Sequence, residues 1–225
     1  MAAAADPRVR SFLQRVYLFM GLGLAATGLV AMVVVSSPAA LSLVFGNKLV
    51  FYGLLVAELL MVGSFSALAS RVSAMTAGAM FFGYAALNGI TFASIFLIYT
   101  RASIASTFFV TAGMFAAISA YGAVTKRNLS SLGSFCFMGL IGLVIASLVN
   151  IFLGSTMLYW LTTFVGVIVF TGLTAYDTAK LTQIATAAGG AASANLALRG
   201  ALTLYLDFIN VFLMLLRIFG GRRRD

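Results

Sequence analysis

Long apolar runs separated by short polar or basic breaks dominate the chain. Runs at residues 16–35, 49–69, 74–99, 104–124, 133–153, 157–176 and 197–219 each predict a helix. Each is near the ~20 apolar residues needed to cross a bilayer core. The runs are continuous, which excludes barrel strands of about ten alternating residues. Lys48, Arg71, Arg101, Lys126-Arg127 and Gly154 punctuate them. The stretch 184–195, rich in Ala, Gly and Ser, predicts a flexible connection before the last helix. The basic start followed by an apolar run mimics a signal peptide, with Pro38-Ala39-Ala40 as a cleavage site. That run is longer than the about 7–15 residues of a signal core, so it is read as a retained first helix. Residues 1–225 are thus read as one seven-helix, all-α membrane domain. Small residues at Gly21/Ala25 and Gly113/Ala117 predict close backbone approach there.

Composition agrees. The chain has 225 residues, 62% hydrophobic and 8% charged, with a mean hydropathy of +1.09. A soluble domain carries about 25% charged residues, so a soluble globular protein is excluded and the lipid bilayer is the expected partner. The formal charge of +9 and pI near 10.2 would suit a nucleic-acid binder. The basic residues sit at the ends of apolar runs, not on a face with interleaved aromatics, so no nucleic acid is expected. Of 14 Lys+Arg, 8 lie on the N-terminal side, 2 in the opposite loops and 4 at the C-terminal end. The positive-inside rule then puts the N-terminus in the cytoplasm. Seven crossings would place the four C-terminal charges outside, whereas a re-entrant last helix would keep them inside.

With no His and one Cys, several chemistries are unavailable. A Ser-His-Asp triad, an imidazole zinc site, a histidine switch and an intramolecular disulfide cannot be built. Cys136 reads as a small buried hydrophobe.

The acids are the informative residues. Asp6 and Asp225 are terminal, while Glu58, Asp177 and Asp207 lie in or at the end of apolar runs. An acid in hydrocarbon is costly unless it faces a cavity or a partner, so these three are candidates for function. A structural ion pair, or a protonated acid bonded to a neighbouring helix, is the alternative. At 100° per residue, Thr203, Asp207, Asn210 and Arg217 fall within an arc of about 80°. That stripe predicts a last helix with a sheltered polar face. Asp177 is expected at the cytoplasmic end of the sixth helix, on the side of Arg71. If Asp177 and Asp207 meet in a poorly solvated site, both cannot ionise cheaply and they would share a proton. Such a pair could gate on pH without histidine, with cation or arginine recruited when the proton leaves. Its oxygens also suit Ca²⁺, though two carboxylates fall short of the usual six to eight ligands.

The segments GLTAYDT (172–178) and LYLDFIN (204–210), the end LMLLRIFGG (213–221), and the stretches ALNGITFASIF (86–96) and KRNLSSLGSF (126–135) resemble the Bax inhibitor-1 family, in a bacterial member. The resemblance spans nearly the whole chain. It implies an inner-membrane protein of seven helices, with two three-helix layers around a central C-terminal helix. It also implies a pH-sensitive Ca²⁺ leak with Ca²⁺ and protons as its ions and no cofactor. Asp177 and Asp207 match the family's paired aspartates, the proton-sensing gate and candidate Ca²⁺ ligands. Glu58 matches its acid in the second helix and Arg217 its arginine ten residues after the second aspartate. With Asn210 and Thr203, Glu58 is assigned to the ion pathway. Arg71 is the candidate for the arginine that latches an aspartate, about two positions later than the family pattern has it. Arg217 is the second arginine considered for that role.

Other readings compete. A regulatory protein acting on another membrane protein, such as a membrane protease, would need no transport of its own, but the short loops offer little surface for a large cytosolic partner. A proton-coupled transporter would also use membrane acids. An intramembrane aspartyl protease would use a dyad to activate water, but such enzymes carry Gly-x-Gly-Asp where this chain has Tyr205-Leu206-Asp207. The chain is therefore not expected to be an enzyme.

Overall fold

A computed structural model describes residues 6–69, 71–188 and 193–223. Among them are eight helices: α1 (Pro7–Ser36), α2 (Pro38–Phe45), α3 (Lys48–Leu68), α4 (Ala74–Ile98), α5 (Arg101–Val124), α6 (Ser130–Leu153), α7 (Thr156–Ala187) and α8 (Ala194–Phe219). All except α2 are long and apolar enough to cross a membrane, giving the seven spans that the hydropathy pattern predicts.

Local chemistry sets the breaks. The side chains of Ser37, Asn47, Ser73 and Ser155 each accept a backbone N–H at the start of α2, α3, α4 and α7. Pro38 at the first turn of α2 adds a φ already suited to a helix start. Gly154 ends α6 in the left-handed conformation, with φ of 59°, where a side chain would be strained.

Two ends differ from expectation. α1 begins at Pro7, because Val9, Phe12, Leu13 and Val16 are buried. Their i, i+3, i+4, i+7 spacing makes an apolar stripe through the basic segment. α7 runs on to Ala187, so 177–187 is helix and the expected connection is shorter. The segment carries Lys180 and Gln183, which lower hydropathy without opposing helix formation. Residues 189–192 of that connection lie outside the described residues.

The described contacts fall into two units. The first comprises Met1–Arg10, Ala102–Gly189 and Leu206–Gly221. In it Cys136 and Leu143 of α6, Val169, Phe170 and Leu173 of α7, and Val211 and Leu215 of α8 form one apolar cluster. A Cβ on Gly122 of α5 would collide with the Ala175 carbonyl oxygen of α7, and one on Gly172 with Cys136 Sγ. The second unit comprises Ser11–Arg101, Gly190–Tyr205 and Arg222–Asp225. In it a Cβ on Gly89 of α4 would come 2.6 Å from the Thr27 carbonyl oxygen of α1. Close approach is therefore real but sits elsewhere than expected. A Cβ on Gly21 or Gly113 would meet nothing within 4 Å.

The last helix crosses fully. At its start Asn195 Nδ2 donates to the Val72 carbonyl at 2.7 Å, just before α4. After its end Arg223 N donates to the Ile98 carbonyl at 3.0 Å, and Tyr99 pairs with Arg222. Within the second unit, the start of α8 thus meets the start of α4, and the residues after its end meet the end of α4. A re-entrant path would return the tail to the level of Val72, so that alternative is not what forms. Single cysteines replacing Arg71 and Arg223 should be labelled by a membrane-impermeant maleimide from opposite faces of sealed vesicles. Labelling of both from one face would restore the re-entrant path.

Candidate functional site

In the first unit, α7 carries Asp177 ten residues before its end at Ala187, roughly 15 Å inside the helix. Asp177 is therefore inside the helix and not at its last turn, because the helix continues past the apolar run. α8 carries Asp207 near its midpoint. The side chains of the two aspartates face each other, carboxyl to carboxyl. A hydrogen bond between them would require one to carry a proton, since two ionised carboxylates have only acceptors.

The surroundings of Asp207 are dry. It is 5% exposed. The neighbouring Phe208 ring lies 5.4 Å from both Phe108 and Phe115 of α5, centroid to centroid. Among the described residues no donor reaches Asp207 Oδ2. Asp177 is half-buried and feels the charge of Lys180, three residues on and on the same face of α7. The Lys180 ammonium also stands 5.6 Å from the centre of the Tyr176 ring. One carboxyl therefore opens toward a cation and the other is sealed. Lys180 was not singled out from the sequence, although its i+3 spacing from Asp177 is a readable signal.

The other residues of the polar stripe divide. Asn210 is half-buried, and its Nδ2 donates to the Leu206 carbonyl at 2.8 Å. Thr203 is exposed, and its hydroxyl donates to the Arg199 carbonyl at 3.2 Å. The stripe is thus sheltered at Asp207 and open at Thr203. Arg217 lies over the Tyr159 ring, 5.2 Å from its centre, with Nη1 3.9 Å from Met214 Sδ. Arg71 is exposed in the turn after α3.

The second unit holds a separate polar cluster. Thr91 of α4 donates to Glu58 Oε1 of α3 at 2.8 Å. Asn88 Nδ2 donates to the Tyr84 hydroxyl at 3.3 Å, and Asn88 Oδ1 is buried without a partner among the described residues. Tyr84, Asn88 and Thr91 share one face of α4 by their i, i+4, i+7 spacing, a signal the acids overshadow in the sequence. The hydroxyls of Thr27 and Tyr205 meet at 2.7 Å, and Thr27 donates onward to the Ala85 carbonyl at 2.9 Å. Tyr205 thereby anchors the first half of α8 two residues before Asp207.

Residues 9–224 match the profile of the family described as inhibitor of apoptosis-promoting Bax1. The chain belongs to the Bax inhibitor-1 family. It is 50% identical over 218 residues to inner membrane protein YbhL of Escherichia coli strain K12, covering 96% of this chain and 93% of that protein. It is 42% identical over 223 residues to protein RP147 of Rickettsia prowazekii, covering 97% and 92%. A Deinococcus radiodurans protein is 42% identical over 219 residues, covering 97% and 93%. This bacterial Bax inhibitor-1 family member is an integral inner membrane protein. Among the described residues no three acidic, histidine or cysteine side chains are grouped to hold a metal.

Proposed function

We propose that this family member is a pH-gated passive leak for cations, with Ca²⁺ as its ion and the Asp177–Asp207 pair as its gate. The observation that carries the reading is the meeting of two carboxyl groups from different membrane-spanning helices, one of them buried with an oxygen that no donor reaches among the described residues. With one proton, the pair ties α7 to α8. Without it, two negative charges face each other in a dry site, and they must recruit a cation or move apart. Lys180 lies beside Asp177 as a cation already in reach. Arg71 would serve as a latch only if its turn moved, and Arg217 only by leaving Tyr159. Glu58, Asn210 and Thr203 supply polar stations for an ion's path. No covalent step is assigned to the pair, so the chain is read as a channel and not as an enzyme. The N-terminus is placed in the cytoplasm by the charge of its side.

Purified protein in liposomes should pass Ca²⁺ at a rate that differs between acid and alkaline conditions. Asp177→Asn and Asp207→Asn should each make the rate independent of pH. Unchanged flux and an unchanged pH response in both variants would sink the gate. Absence of flux from the parent protein, with a co-purifying membrane protein, would favour the regulatory reading.

A further inference from the structure

The first unit contains a cavity of about 370 Å³ that the aspartate pair does not use. It lies where α5 ends, against the last turns of α7. Small apolar residues, Gly122 among them, line it together with Thr125, Lys126, Thr182, Gln183 and Thr186. No acid lines it.

Its depth in the bilayer follows from helix length. α7 has 32 residues, or about 48 Å at 1.5 Å per residue. A hydrocarbon core is about 30 Å thick, so roughly 18 Å of α7 must project beyond it. The stretch from Lys180 onward is the polar end of α7, and the first lysine after α5 is Lys126. The cavity therefore lies at the level of the lipid headgroups.

The polar lining has a chemical sense. The hydroxyls of Thr182 and Thr186 donate to the carbonyls of Thr178 and Thr182 at 2.9 and 2.8 Å. Each donor is spent, so these two oxygens offer only lone pairs to a ligand. Lys126 brings an ammonium and Gln183 a carboxamide, and Thr125 Oγ1 accepts from Arg127 N at 3.3 Å, which leaves its hydroxyl proton to give. Donors for an anion thus share the lining with acceptors for a second group that carries N–H or O–H. We propose that this cavity binds the headgroup of a phosphoglycerolipid bearing hydrogen-bond donors. Lys126, Gln183 and Thr125 take the phosphate, and Thr182 and Thr186 take an ammonium or hydroxyl attached to it. Ethanolamine fits that description. Choline does not, because its quaternary nitrogen has no N–H to give.

The site is independent of ion conduction and is tested by binding alone. Detergent-purified protein is titrated with phosphatidylethanolamine, phosphatidylcholine or inorganic phosphate, and one-to-one adducts are counted by native mass spectrometry. Phosphatidylethanolamine should bind about tenfold more tightly than phosphatidylcholine. Lys126→Glu and Thr182→Val should each erase that preference, while Arg127→Glu, beside the cavity but not lining it, should keep it. Equal binding of the two lipids, or an unchanged preference in both lining variants, would overturn the proposal. Inorganic phosphate displacing phosphatidylethanolamine at matched concentration would overturn the lipid assignment in favour of a free anion.

Discussion

Gly122→Val should abolish the monodisperse folded protein, while Gly113→Ala on the same helix should leave it intact and slightly more stable. At Gly122 the obstacle to a side chain is the Ala175 carbonyl oxygen, with the Thr178 Cβ at 3.1 Å behind it. A backbone oxygen inside a helix cannot rotate aside, so α5 and α7 would have to separate. Separation would break the Thr178–Ser119 hydroxyl contact at 3.4 Å and disturb the turn that carries Asp177. Forcing extra methyl groups into a packed contact costs about 1–3 kcal/mol or more, a large share of the 5–15 kcal/mol typical of a domain. At Gly113 nothing lies within 4 Å, and alanine adds up to about 1 kcal/mol of helix propensity. Size-exclusion profiles and thermal unfolding in detergent read both variants. A Gly122→Val protein melting with the parent would show that the α5–α7 contact is not close.

That contrast also marks what the sequence could and could not say. Small residues at four-residue spacing show that a helix face can be approached, not that anything approaches it, and so the spacing marked Gly113 and passed over Gly122. Hydropathy located all seven spans because the hydrocarbon core demands about 20 apolar residues. It misjudged the ends of α1 and α7, where helices continue into the interface and charge no longer signals termination. At α1 the buried Val9, Phe12, Leu13 and Val16 carried the answer in their spacing. Asp177 and Asp207 stood out because acids are costly in an apolar run, but their meeting rested on the family resemblance. Lys180 went unmarked because a lysine near a helix end satisfies the topology rule on its own. The split of the α8 stripe, Asp207 buried and Thr203 exposed, depends on what packs against each turn, which periodicity alone does not contain.

Asp207→Asn should make the protein more stable at neutral and alkaline pH while removing its pH response. Asp207 is sealed among aromatic and aliphatic side chains, and one of its oxygens has no donor among the described residues. A carboxylate there loses water without full compensation, at a cost of several kcal/mol. Its neighbour on α7 is a second carboxyl, so ionising both adds repulsion. Lys180 relieves Asp177, the more open partner. Asparagine keeps the shape, carries no charge and brings two N–H donors, one of which can reach Asp177. Replacing buried charge by a neutral group of like volume gains about 1–4 kcal/mol where the charge was poorly satisfied. The gain should shrink toward acid pH, where the parent pair holds its proton and the repulsion is gone. Thermal unfolding of parent and variant across pH reads this directly. A variant less stable than the parent at every pH would mean that Asp207 is a satisfied structural acid, and the gate would lose its physical basis. A gain that grows with pH, together with a flat flux profile, would mean that the chain carries a destabilising acid pair at the centre of its fold because the gate requires it.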